Sequence, residues 1–104
     1  MKDNVLSFIG LAARAGKLIY GSEACSAAVR SRRLKLVVMA GDASDNTKKL
    51  MRNKCTSNNV PLREYGNIET LSKAVGKGTV SVVGTGDNGF AKEILKKIAA
   101  NYGS

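Results

Sequence analysis

An apolar run at residues 34–40 is the clearest hydrophobic pattern in the chain. It reads Leu-Lys-Leu-Val-Val-Met-Ala and is bounded on each side by polar or glycine-bearing segments. Such a run is typical of a strand that is buried on both faces of its sheet. A strand of this kind needs helices above and below it. We therefore predict a central strand at residues 34–40 between two layers of helices.

Helical repeats of apolar residues alternate with short β-branched segments in the rest of the chain. We predict further strands at residues 18–20, 60–62 and 79–83, with Pro61 placing the second at an edge or a strand start. Five helices are predicted, and they begin after Asp3 or Asn4, at Gly21 with Ser22 as N-cap, at Thr47, at Glu69, and after Asp87 or Asn88. The alternation indicates an α/β fold, a three-layer α/β/α sandwich with a small mixed sheet of about four strands, in one domain over residues 1–104.

The net charge of the chain narrows the classes of partner that it can bind. Seventeen Lys and Arg against eight Asp and Glu leave a formal net charge of +9. Such an excess favours polyanions, of which RNA is the commonest in a cytoplasm, and anionic membrane surfaces are attracted by the same field. No apolar run is long enough to span a bilayer, and no signal peptide is recognisable at the N-terminus, so we expect a cytoplasmic protein.

The chain offers little for catalysis or metal binding. It has no histidine, and its two cysteines, Cys25 and Cys55, are too few for a zinc site. We predict that both are buried apolar residues, one on each of two helices, with Ala24, Cys25, Ala28 and Val29 on the inward face of the second helix. The glycine-rich residues 84–89 lack the Lys-Ser/Thr ending of a P-loop and are interpreted as a turn. No catalytic residue, metal or cofactor is expected.

The start of the second helix is the first candidate site. Free backbone N–H groups at a helix start attract anions, and Gly21 permits a phosphate or base to approach the backbone. Ser22 and Glu23 complete this first turn. Taken alone, the pattern favours an ordinary helix cap, because most Gly-Ser pairs before a helix have no other role.

Basic residues form the second candidate site. Arg30, Arg32, Arg33 and Lys35 lie within six residues at the chain reversal before the central strand. Such a cluster is either a solvated helix end or a set of phosphate contacts, and both interpretations remain open. Lys17, after Gly16, adds another cation where the chain leaves the first helix.

Several of these segments together resemble the ribosomal protein L7Ae and L30e family. The resemblance rests on Gly16-Lys17, on Gly21 at a helix start, on Ala28-Val29, on residues 35–49 with Cys55 and Val60-Pro61, and on Gly76-Lys77. It covers essentially the whole chain, and short stand-alone bacterial members found among translation genes are the nearest in pattern. It implies an α/β/α sandwich that binds structured RNA, typically a kink-turn, an internal loop with tandem sheared G·A pairs.

The resemblance also implies where RNA would bind. In that family the N-terminus of the second helix reads guanines, and a loop before the last strand covers a flipped-out nucleotide. Here those segments are residues 21–27 and 76–79. The family's strong kink-turn binders place Asn-Glu and a following Lys at positions that are Glu23, Ala24 and Ala27 in this chain, and an acid often found at the end of the central strand is replaced by Gly41.

We therefore predict a non-enzymatic RNA-binding protein associated with ribosomal or other translation-related RNA. The alternative is a protein-interaction or ribosome-assembly module that keeps the fold without specific RNA reading; a nucleotide-binding enzyme is disfavoured. Gly21 and Ser22 are assigned as backbone N–H donors and Glu23 as the guanine reader. The predicted RNA-binding residues are Gly16, Lys17, Gly21, Ser22, Glu23, Arg30, Arg32, Arg33, Lys35, Lys77, Gly78 and Thr79. Neither membrane binding nor DNA specificity is expected, and the oligomeric state is left open.

Overall fold

Helices and strands alternate along residues 3–102, which the computed structural model describes with the exception of the Tyr102 side chain. The strands are β1 (Leu18–Tyr20), β2 (Leu36–Met39), β3 (Leu62–Glu64) and β4 (Val82–Thr85). The helices are α1 (Asn4–Arg14), α2 (Ser22–Arg30), α3 (Asp45–Ser57), α4 (Ile68–Val75) and α5 (Asn88–Tyr102). No helix within this part of the chain has both the length and the apolar character needed to cross a membrane.

The four strands form one mixed sheet in the order β1-β4-β2-β3. β4 is antiparallel to both of its neighbours, and β3 is parallel to β2. The register places Tyr20 opposite Val83 and Met39 opposite Val82. The first three strands therefore end at the edge where β4 begins, which we call the upper edge. β1 and β2 begin at the opposite, lower edge, where β4 ends.

Two apolar clusters lie on opposite faces of the sheet. One joins α1, α4 and α5 to the sheet through buried residues such as Ile9, Leu71 and Ile94. The other joins α2 and α3 through residues such as Cys25 and Met51. Alternate residues of β2 supply the two clusters, as expected for a strand whose two faces are both covered. The predicted three-layer α/β/α sandwich with a four-stranded mixed sheet is thus confirmed.

The strand boundaries differ from those predicted. β4 begins at Val82 rather than at residue 79, because the backbone N–H of Val80 bonds to the Ser72 hydroxyl (2.8 Å) and its carbonyl accepts from the same group. β3 begins after Pro61 and is an edge strand, as its proline predicted. The central strand is shorter than residues 34–40, although Lys35 and Ala40 still donate backbone hydrogen bonds to the β4 chain.

Side-chain caps fix several helix starts. Asp3 accepts from the N–H of Leu6 (2.9 Å), Ser44 from Thr47 (3.2 Å), and Asp87 from Phe90 (2.9 Å). Each cap satisfies one of the N–H groups that a helix start leaves without a partner. The first and last of these starts agree with the predicted caps. The third helix begins at Asp45, two residues before the predicted Thr47, because Ser44 is its cap.

Candidate nucleic-acid interface

Gly21 connects the end of β1 to the start of α2. Its φ and ψ of 94° and 153° lie in a region that essentially only glycine occupies. Its N–H donates to the carbonyl of Val82 (2.9 Å), and its own carbonyl accepts from Cys25 (3.0 Å), so the helix begins directly after it. The predicted Ser22 N-cap is therefore wrong: Gly21 is the N-cap, and no side chain caps this helix. The Gly21 N–H, already bonded to Val82, is not a free donor.

The exposed side of the first two turns of α2 carries few side-chain atoms. Cys25, Ala28 and Val29 face the core, whereas Glu23, Ala24 and Ala27 are exposed. The predicted inward position of Ala24 is wrong: Ala24 is exposed in the first turn, next to buried Cys25. Backbone N–H groups of residues 22–24 have no hydrogen-bond acceptor among residues 3–102. A polar ligand can thus reach backbone donors next to a single carboxylate.

The loop before β4 leads to the same edge of the sheet as this helix start. Gly76 ends α4 in the left-handed conformation (φ 68°), and Gly78 also has a positive φ (85°). The Ser72 hydroxyl holds Val80, and two residues later Val82 accepts the hydrogen bond from Gly21. The structure therefore brings together six predicted site residues at the upper edge. We call this the helix-start surface: Gly21, Ser22, Glu23, Lys77, Gly78 and Thr79.

The other predicted site residues lie at the lower edge. The N–H of Lys35 donates to Thr85 (2.8 Å), and Leu18, next to Lys17, pairs with the same residue. α2 has nine residues, so its two ends are separated by about 13 Å at 1.5 Å per residue. The structure thus divides the predicted site into two. We call the second part the arginine surface: Gly16, Lys17, Arg30, Arg32, Arg33 and Lys35.

Sequence reasoning missed Gly86, which supports the arginine surface. A Cβ atom at Gly86 would collide with the carbonyl oxygen of Arg33. Gly86 also lines, with Lys17, a shallow cleft of about 330 Å³. The glycine therefore lies between Lys17 and the turn at Arg32 and Arg33. The glycine-rich residues 84–89 were visible in the sequence. Only the fold shows that the Arg33 backbone lies against Gly86.

The two cysteines are buried and unreactive at neutral pH. Cys25 on α2 and Cys55 on α3 are both free and buried in one apolar cluster, as predicted. Burial, with a smaller effect from the charge of Cys55, raises the pKa of the Cys25 thiol to about 12. Burial raises the pKa of Cys55 to about 11. Because the thiolate is the nucleophile and metal ligand, both groups are inert at neutral pH. Residues 3–102 contain no group of three or more Cys, Asp or Glu placed to hold a metal ion.

Comparison with known proteins now identifies the family. The family described as ribosomal protein L7Ae/L30e/S12e/Gadd45 matches residues 3–95. The chain belongs to this family. The resemblance predicted from the sequence is confirmed.

Two relatives and two solved structures are similar over most of the chain. The chain is 41% identical over 97 residues to RNA-binding protein YlxQ of Enterococcus faecium (93% of each chain), and 36% identical over 87 residues to RNA-binding protein YlxQ of Bacillus subtilis strain 168 (84% of this chain, 87% of the relative). A structure from Bacillus halodurans, described as a protein with unknown function, has a TM-score of 0.89 at 37% identity (93% of this chain, 98% of that one). The Giardia lamblia 15.5kD RNA binding protein has a TM-score of 0.74 at 22% identity (91% and 84%), and it shows the shared fold alone.

Proposed function

We propose that this protein is a non-enzymatic RNA-binding protein that recognises structured, kink-turn-like RNA at the helix-start surface. The observation that carries the proposal is the Gly21–Val82 hydrogen bond, which joins the start of α2 to the chain that follows the residue 76–79 loop. That bond supports the proposal because it puts the start of α2 at the edge of the sheet to which the residue 76–79 loop leads. The names of the two YlxQ relatives support RNA as the ligand.

Backbone and side chain have different roles in this proposal. The N–H groups of residues 22–24 donate to RNA, since no protein group accepts from them in the described part of the chain. The Glu23 carboxylate is the one charged group on the exposed side of the first two turns, and it accepts hydrogen bonds from guanine edges. Lys77 supplies a charge to the phosphate backbone from the second loop.

The exposed alanines limit how strongly bases are read. Ala24 and Ala27 occupy positions at which the resemblance implied an acid and a lysine, and neither side chain can form a hydrogen bond. Each good base contact is worth about 1–3 kcal/mol of discrimination. We therefore expect recognition that depends more on RNA shape than on base identity. Ribosomal or other translation-related RNA is the proposed source, with a cytoplasmic location, on the basis of the family description.

The test is a titration against a kink-turn RNA and a fully paired duplex of equal length, each at two salt concentrations. We expect tighter binding to the kink-turn RNA at both salts. The decisive variant is Glu23→Gln, because it removes a negative charge. If Glu23 reads guanines, the variant binds the kink-turn RNA about 5- to 100-fold more weakly, although its net charge is more favourable.

Glu69→Gln is the matched control for that variant. Glu69 is an exposed acid in the first turn of α4, and its loss changes the net charge by the same amount. Both RNAs should bind this control as tightly as wild type or slightly more tightly. Equal strengthening in the two variants, or equal affinity of wild type for both RNAs, would refute guanine reading by α2.

A further inference from the structure

Charge is distributed unevenly between the two edges of the sheet. The upper edge carries six of the eight acidic residues in the chain: Asp3, Glu23, Asp42, Asp45, Glu64 and Glu69. The lower edge carries one carboxylate, Asp87, which caps α5. The same edge carries six cations: Arg14, Lys17, Arg30, Arg32, Arg33 and Lys35. Acidic residues are therefore scarce at the edge opposite the helix-start surface, where cations are clustered.

The cations of the lower edge are available to a partner. All six side chains belong to exposed residues. The ion pairs found in residues 3–102 use Lys48, Arg52, Lys73 and Lys97, so none of the six cations is neutralised by an acid within 4.0 Å. In contrast, the α3 cations Lys48 and Arg52 both pair with Glu64. The lower edge is thus an unneutralised basic surface rather than an internal ion-pair network.

The backbone that presents these cations is fixed. Arg33 donates its N–H to Ala28 (2.8 Å), and Leu34 is buried beside it. Arg32 has a left-handed φ of 62°, which closes the turn. Gly86 packs against the Arg33 carbonyl from the other side. A fixed turn loses less conformational freedom when it binds, which favours affinity.

The cations spread along the lower edge, which suits an extended polyanion better than a single small anion. Lys17 and Lys35 flank the end of β4 from two different strands, so their backbones are about 10 Å apart at about 4.8 Å per strand. Double-stranded DNA carries about one negative charge per 1.7 Å of its axis, and double-stranded RNA is similarly charged. Three of the six cations are arginines on one turn, and guanidinium groups bind phosphate in a bidentate manner.

We propose that the arginine surface binds the phosphate backbone of a second, double-stranded RNA segment, so that one protein joins two RNA segments at opposite edges of its sheet. This inference rests on the proposed RNA binding at the helix-start surface. A lipid surface fits less well, because Leu11 is the one exposed large apolar side chain in residues 3–102. A single such side chain buries little area in a membrane.

The test measures whether both RNAs bind at once. A kink-turn RNA with an acceptor dye is saturated with protein, and a fully paired RNA duplex with a donor dye is added. Energy transfer and a complex containing both RNAs are expected for wild type. The variant is Arg30→Gln with Lys35→Gln, whose side chains make no hydrogen bond or ion pair in residues 3–102, so the fold should be retained. It should lose energy transfer, keep kink-turn affinity, and reduce the salt slope of duplex binding by about 2.

Lys73→Gln with Lys96→Gln is the matched control, because both lysines are exposed on the other helical layer and the change in net charge is identical. It should behave as wild type. Displacement of the kink-turn RNA by the duplex, or equal losses in the two double variants, would overturn the inference. So would binding of phosphatidylserine vesicles that depends on Arg30 and Lys35 while duplex binding does not. If wild type binds kink-turn and duplex RNA equally, the proposed function fails, whereas the duplex arm still decides whether the arginine surface binds RNA.

Discussion

The two ends of α2 meet solvent with opposite chemistry. At its start, Gly21 and the exposed alanines leave backbone donors uncovered, and the surrounding edge is rich in carboxylates. At its end, three arginines project from a turn that is closed by a left-handed residue. At the first surface, small side chains leave backbone N–H groups accessible. At the second surface, the charged side chains are themselves the binding groups.

This difference separates two ways of binding RNA. A surface of backbone donors with little net positive charge discriminates by fit, because only a suitably shaped groove brings acceptors to the donors. A cluster of unneutralised cations binds any phosphate backbone and weakens steeply with salt. The net positive charge is a prominent feature of the sequence. It does not predict how the helix-start surface binds a ligand.

The largest expected effect on stability comes from Gly86→Ala, which should perturb only the arginine surface. The new Cβ collides with the Arg33 carbonyl, and neither backbone can move far, since Thr85 pairs with both neighbouring strands. We expect a loss of about 3 kcal/mol in the free energy of unfolding, measured by urea denaturation. Duplex RNA affinity should fall while kink-turn affinity is kept.

Gly89→Ala is the control for that change. Gly89 lies in the first turn of α5, where the added Cβ meets only the Asp87 side chain at 3.3 Å. Its effect on stability should be within about 0.5 kcal/mol. Similar losses in the two variants would show that Gly86 is not a specific support of the turn at Arg32 and Arg33.

Gly21→Ala should produce the next largest effect, on the helix-start surface. No atom lies within 4 Å of the added Cβ, so the cost arises from the backbone conformation alone, about 2 kcal/mol in unfolding free energy. Kink-turn RNA should bind more weakly, because the helix start must shift. Ser22→Ala is the companion variant. A true N-cap serine would cost about 1 kcal/mol, whereas we expect less than half of that, since Ser22 makes no cap bond.

The effect that is smallest at neutral pH concerns the interior that connects the two surfaces, because both thiols keep their protons there in the folded and the unfolded state. The unfolded thiols lose their protons near the ordinary pKa of 9.0, whereas folded Cys55 and Cys25 keep theirs to about 11 and 12. Between these values the folded state binds more protons, so the free energy of unfolding falls as pH rises above about 9. Urea denaturation on both sides of this pH measures the slope. An unchanged slope in Cys25→Ala with Cys55→Ala would show that the thiols are not its source.

The fold was largely predictable because its patterns are local. The apolar run at residues 34–40 defined a strand that is buried on both faces, and helical repeats placed the five helices around it. The errors arise where a hydrogen bond or a backbone conformation overrides the local pattern. The Ser72 hydroxyl delays β4, and Gly21 rather than Ser22 caps α2 because its backbone conformation ends the strand. Hydrogen bonds between distant residues are not visible in a local pattern.

The sequence offered candidate site residues but not their arrangement, and their role in binding stays a prediction. Lys17 and Lys35 are eighteen positions apart in the sequence. They lie at the same edge of the sheet because Lys17 precedes β1, Lys35 precedes β2, and β4 lies between these strands. Glu23 and Arg30 are close in sequence but lie at opposite ends of a helix. Sheet order decides both outcomes, and sheet order follows from packing of the whole chain rather than from any single segment.

The central position of β4 has a consequence for how this protein is made. β4 is the last strand in chain order, yet it separates β1 from β2, and it supplies the acceptor at Val82 and the contact at Gly86. During synthesis β2 and β3 can pair first, but β1 has no strand partner until residues 82–85 have emerged. Neither surface can therefore be complete before residues 82–86 have joined the sheet.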